Sequence, residues 1–123
     1  MKQPKTVVGV LDDLMFTVKI LEAAKQAGFQ AVFVKTKEDA LKRAAEAPAL
    51  MILDLNCAAA EPLEIAKALK SQPEFKGISV IAYLSHVQVD LKQRAQETGI
   101  DMVMARSAFS TNLPQILRRH STL

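Results

Sequence analysis

The stretch Ala49-Leu50-Met51-Ile52-Leu53-Asp54-Leu55-Asn56 is a short, continuously apolar run that ends in a single carboxylate. A run of this length reads as a strand buried on both faces, the usual state of a central strand in a parallel sheet. A buried helix segment would show the same run, but Pro48 just before it and helix-like segments on either side favour the strand. Asp54 then stands at the strand's carboxyl end, where open α/β sheets gather their ligands and chemistry. A carboxylate so close to a core has to be solvated, paired or bound to a metal. Asp54 is therefore the first candidate for function.

Outward from that strand the chain alternates. Thr6 to Leu11 reads as an earlier buried strand with Asp12-Asp13 at its carboxyl end. Leu14, Val18 and Leu21, at i, i+4 and i+7, predict a first helix along that apolar row, closed by Gly28. Asp12 or Asp13 serves equally well as that helix's N-cap. Gln30 to Lys35 predicts a second strand, and Thr36 with Asp39 resembles a capping box opening a helix through Leu41 and Ala45 to Pro48. Pro62 fits the first turn of a third helix covering Leu63, Ala66 and Leu69.

The second half repeats the pattern. Gln72-Pro73 and Gly77 mark a loop before a fourth strand, Ile78 to Leu84, which ends at Ser85-His86. Asp90 is read as the cap of a helix with Leu91 and Ala95 inward and Gly99 at its end. Asp101 to Ala105 is a short fifth strand, followed by Arg106-Ser107. Ser110 or Thr111 is read as the start of a last helix, with Pro114 in its first turn and Leu113, Ile116 and Leu117 inward. Five strands alternating with five helices imply a parallel sheet with right-handed crossovers and helices on both faces. The whole chain, residues 1–123, reads as one domain.

Composition narrows the function classes. The 123 residues are 50% hydrophobic and 24% charged, as in an ordinary globular protein. No apolar run is long enough to span a bilayer and no signal-peptide core is visible, so the expected location is the cytoplasm. The single cysteine, Cys57, gives neither a disulfide framework nor zinc spacing, and reads as a small, partly buried apolar residue. The net charge of +3 comes from scattered lysines and arginines on solvated helix faces, so neither nucleic acid nor membrane is an expected partner. Ser85-His86 with Asp90 lacks the Gly-x-Ser-x-Gly elbow of a hydrolase, and His86 reads as a solvated loop residue. A flavin carrier would need a Ser/Thr/Gly-rich phosphate loop after the first strand. The acidic and then bulky Asp12-Asp13-Leu14-Met15-Phe16 is the opposite.

The element order, the element lengths and the motif Met51-Ile52-Leu53-Asp54-Leu55-Asn56 resemble a response-regulator receiver domain of the CheY-like type, over essentially the whole chain. The resemblance implies a flavodoxin-like, doubly wound (βα)5 fold with strand order 2-1-3-4-5, in which strands one and three are neighbours and Asp12 and Asp54 converge at one crevice. It implies that Asp54 accepts a phosphoryl group from a phosphohistidine. By the same resemblance Asp12, Asp13, Asp54 and the backbone carbonyl of Asn56 are the ligands of Mg²⁺, which neutralises the approach of two anions. The implied partners are a histidine kinase or phosphotransfer protein, and downstream a protein partner or an effector in a longer parent chain. Such a domain signals through contacts in a two-component phosphorelay rather than by turnover.

The sequence departs from the family pattern at several switch positions. Leu11 falls in the first acid slot and Asp12 in the second, which weakens Mg²⁺ binding; Asp13 restores a pair only if the turn shifts by one residue. Leu84 falls in the hydroxyl slot, leaving Ser85 as a displaced hydroxyl. Arg106 replaces the phosphate-contacting lysine and is expected to pair with Asp54 or Asp12 at rest. Val103 stands where an aromatic usually reads out the switch, Ser107 where a proline follows the lysine, and Ala58 where a proline follows the phosphoacceptor loop. The alternative function is accordingly a phosphorylation-independent pseudo-receiver, an interaction module docking through its last helix and the strand before it.

Overall fold

The computed structural model describes residues 5–85 and 88–121. The sequence expectation for His86 lies outside the described residues. The elements run β1 (Thr6–Val10), α1 (Leu14–Ala27), β2 (Gln30–Val34), α2 (Lys37–Ala44), β3 (Leu50–Asp54), α3 (Pro62–Ser71), β4 (Ser79–Leu84), α4 (Val89–Glu97), β5 (Met102–Ala105) and α5 (Arg106–Ser121). Short 3-10 turns cover Ala58–Ala60 and Pro73–Phe75. All strand pairs are parallel, in the order β2-β1-β3-β4-β5.

The alternation of side chains along β3 explains its continuous apolar run. Leu50 and Ile52 point into the layer shared with α1 and α5, while Met51 and Leu53 point into the layer shared with α2, α3 and α4. Each face needs hydrophobic cover, so neither can carry the polar half of an amphipathic strand. Gly9 on β1 is demanded by contact: a Cβ there would meet the Phe33 ring at 2.9 Å. Gly28 ends α1 in the left-handed conformation, φ 83°, and its amide donates to the Ala24 and Lys25 carbonyls.

Four local expectations are corrected. In α1 the inward face is Phe16, Ile20 and Ala24, whereas Leu14 is 78% and Val18 49% exposed. The helix carries two apolar rows, and the aromatic one wins because Phe16 packs against Tyr83 and Phe109, with ring centroids 5.1 and 6.1 Å away. Helix α2 stops at Ala44 rather than reaching Pro48. Proline bars the preceding residue from the helical region, and Ala47 sits instead at φ 57°.

In α4 the N-cap position is Gln88, so Asp90 lies inside the first turn and caps nothing. Helix α5 starts at Arg106, immediately after β5, and Pro114 lies inside it rather than in its first turn. Starting one turn early carries Phe109 into full burial against Tyr83, 4.8 Å between centroids. That contact outweighs the start signals at Ser110 and Thr111. Pro114 still removes one ladder donor. Lys19 Nζ donates to Ser110 Oγ at 2.8 Å in the same region, tying α1 to α5.

Candidate functional site

Strands β1, β3 and β4 end at a common edge, and the loops that follow them carry the polar residues. Asp54, the last residue of β3, is half-buried and pairs in register with Tyr83 on β4. Its Oδ1 accepts the Asn56 amide at 2.9 Å. Burial is the main influence on Asp54 and pushes its carboxyl above the usual value; the Asn56 amide and the Arg106 charge pull the other way, and Asp13 adds repulsion.

The two acids after β1 do different things. Asp12 is exposed and turns to Lys35 Nζ, 3.3 Å away. Asp13 caps α1, its Oδ1 accepting the Phe16 amide at 3.2 Å, and its other carboxylate oxygen accepts from Arg106 Nη2. The Phe16 amide first, and then the Arg106 guanidinium, hold the Asp13 carboxyl below the usual range despite partial burial. Arg106 also lies over the Phe16 ring, 4.3 Å from its centroid, a cation–π contact that orients the guanidinium. Arg106 therefore pairs with Asp13, not with Asp54 or Asp12 as the sequence suggested.

On the opposite side of Asp54, Leu84 is buried and Ser85 is exposed. Ser85 donates its amide and its hydroxyl to Asn56 Oδ1, at 2.7 and 3.0 Å. Asn56 Nδ2 donates to Gln88 Oε1 at 2.8 Å. Cys57 is buried, more fully than its sequence reading expected, and burial raises its thiol pKa. Beneath the site lies a residue the sequence reading missed. Tyr83 is buried, its hydroxyl has no hydrogen-bond partner among the described residues, and burial pushes the phenol well above its ordinary value. The only available signal was a lone tyrosine in an otherwise aliphatic strand.

No family model and no curated protein matches the chain in sequence. In three dimensions it is similar to solved response-regulator receiver domains over nearly its whole length. A response regulator from Hahella chejuensis superposes with a TM-score of 0.85 at 21% identity, covering 97% of this chain and 96% of that one. The chemotaxis response regulator CheY4 of Vibrio cholerae gives 0.80 at 19% identity, with 96% and 99% covered. The Mn²⁺-bound form of the response regulator Rcp1 gives 0.77 at 18% identity, with 94% and 91% covered. The chain thus has the CheY-like receiver fold, with the expected strand order.

The carboxylates after β1 that were expected to hold Mg²⁺ are engaged by cationic side chains instead. Leu11, expected in the first acid slot, is buried, Asp12 faces Lys35, and Asp13 is engaged by Arg106. Among the described residues no three His, Cys, Asp or Glu side chains gather into a group that could hold a metal ion. Mg²⁺ takes only one or two protein carboxylates and completes its shell with water, so it would have to draw Asp12 from Lys35 or Asp13 from Arg106. The same described residues contain no helix long and apolar enough to cross a membrane.

The raised Asp54 carboxyl has a testable sign. A carboxyl whose pKa is higher in the folded chain than in the unfolded one favours folding below the unfolded value, and that advantage is lost as pH rises through the folded value. Asp54→Asn keeps an acceptor for the Asn56 amide and removes the buried charge. The variant is expected to be more stable than the parent near neutral pH. The difference should shrink as pH falls toward the ordinary carboxylate value of 3.8. Urea titrations across pH check both parts; a variant less stable at neutral pH sinks the burial argument.

Proposed function

We propose that this chain is a phosphorylation-independent pseudo-receiver, a protein-interaction module that uses the receiver fold in two-component signalling. The observation that carries the reading is the Arg106–Asp13 pair beside Asp54. Attack of Asp54 on a phosphoryl donor brings two anions together, and the approach needs uncommitted positive charge. Arg106 is the cation nearest that work, and Asp13 already neutralises it. Leu11 supplies no carboxylate to recruit another.

The opposite wall argues the same way. Leu84 has no donor to offer a phosphoryl oxygen, and both Ser85 donors are spent on Asn56. Asp54 stays in place because the fold puts a strand end there, and its carboxylate serves the loop after β3 through the Asn56 amide. Partners are then protein surfaces of the same signalling class, a kinase or phosphotransfer protein upstream or an effector downstream. The receiver fold of the solved neighbours supports that class.

Intact mass after incubation with Mg²⁺ and acetyl phosphate tests the reading, with a competent receiver as positive control. The expected result is no phosphate adduct on this chain while the control is labelled. An adduct that appears on the parent and vanishes in Asp54→Asn overturns the proposal and restores Asp54 as a phosphoacceptor.

A further inference from the structure

Helix α4 is the least anchored element on its side of the sheet. It fully buries one side chain, Ala95, with Leu91 half-buried, and no side chain among the described residues caps its amino end. Val89, in its first turn, is 67% exposed. Apolar burial normally supplies most of a helix's stability, so this one needs another tether. The structure holds one, which starts at Asp54.

We propose that Asn56 is a strut that couples the Asp54 carboxylate to the start of α4. The Asn56 amide is held by Asp54 Oδ1 at 2.9 Å, which orients the residue. Its side-chain oxygen then accepts both Ser85 donors, and its side-chain nitrogen reaches Gln88, the N-cap position of α4. Four hydrogen bonds converge on one residue and bridge two loops. Each is modest alone, but an unmade one leaves donors on both loops with only water to satisfy them. The order of the α4 amino end therefore depends on whether Asp54 offers an acceptor. This regulation rests on the pseudo-receiver reading only for its use in signalling; the coupling itself needs no phosphoryl group.

Hydrogen–deuterium exchange of the full chain, read by mass spectrometry, tests the coupling. Asn56→Ala is expected to speed exchange across residues 88–97 by roughly ten-fold, while α1 and α5 exchange as in the parent. Asp54→Ala, which removes the acceptor for the Asn56 amide, should give the same local pattern, whereas Asp54→Asn, which keeps one, should not. Gln88→Ala severs the far end of the strut and serves if Asn56→Ala does not fold. Exchange in α4 unchanged by Asn56→Ala, or raised equally in α1 and α5, overturns the strut. Neither outcome bears on whether acetyl phosphate labels Asp54, so the two proposals fail separately.

Discussion

Phe109→Ala is expected to cost the fold about 3–5 kcal/mol, the range for emptying a fully buried aromatic site. Phe109 is completely buried and stacks on Tyr83, with Phe16 as the third ring of the cluster. The three rings come from α1, β4 and α5, so the substitution leaves a void where two helices meet the sheet. The surrounding strands cannot collapse into it, because their spacing is set by the parallel ladders on both sides of β3. Leu14→Ala and Met15→Ala remove apolar side chains that are 78% and 80% exposed, and should stay within about 0.5 kcal/mol of the parent. Urea midpoints at unchanged slope measure all three. If Leu14→Ala costs as much as Phe109→Ala, α1 packs on the face its first apolar row suggested, and the aromatic cluster is misplaced.

The second large effect separates the two acids after β1. Asp13→Ala loses an N-cap and strands Arg106 over the Phe16 ring without its carboxylate, a combined cost of about 2 kcal/mol. Asp12→Ala removes an exposed pair with Lys35 and should cost less than about 0.5 kcal/mol. The pH dependence of the Asp13 effect runs opposite to that of Asp54. The Asp13 carboxyl is held below its ordinary value of 3.8, so its contribution is present above that value and is lost as pH falls through the depressed one. The gap between parent and Asp13→Ala should be full at neutral pH and close in acid. Equal costs for the two alanine variants would overturn this division of roles between Asp12 and Asp13.

Much of this architecture is legible from local chemistry. The Pro48-to-Asp54 run, Thr36 with Asp39, Pro62 and Gly28 each announce an element boundary through a backbone constraint, and each lies where the structure has it. The errors share a cause. Leu14-Val18-Leu21 and Phe16-Ile20-Ala24 are both acceptable helical rows, and periodicity cannot rank them. Ser110-Thr111 followed by Pro114 is a sound helix start by local rules, yet α5 begins at Arg106 because Phe109 gains more from burial than the cap would. Asp90 looks like a cap only while the start of α4 is unknown.

The candidate site divides along the same line. Sequence alone determined that a carboxylate ends the central strand and that the sheet is parallel. Those follow from residue type and spacing along the chain. The tertiary structure decided which acid Arg106 neutralises, which face of α1 is inside, and that Asn56 joins Asp54 to the loop after β4. These are contacts between segments tens of residues apart, and their outcome depends on a competition among neighbours: Asp13 takes Arg106 because capping α1 already holds its carboxylate beside the start of α5, whereas Asp12, one residue earlier, points to Lys35 and solvent.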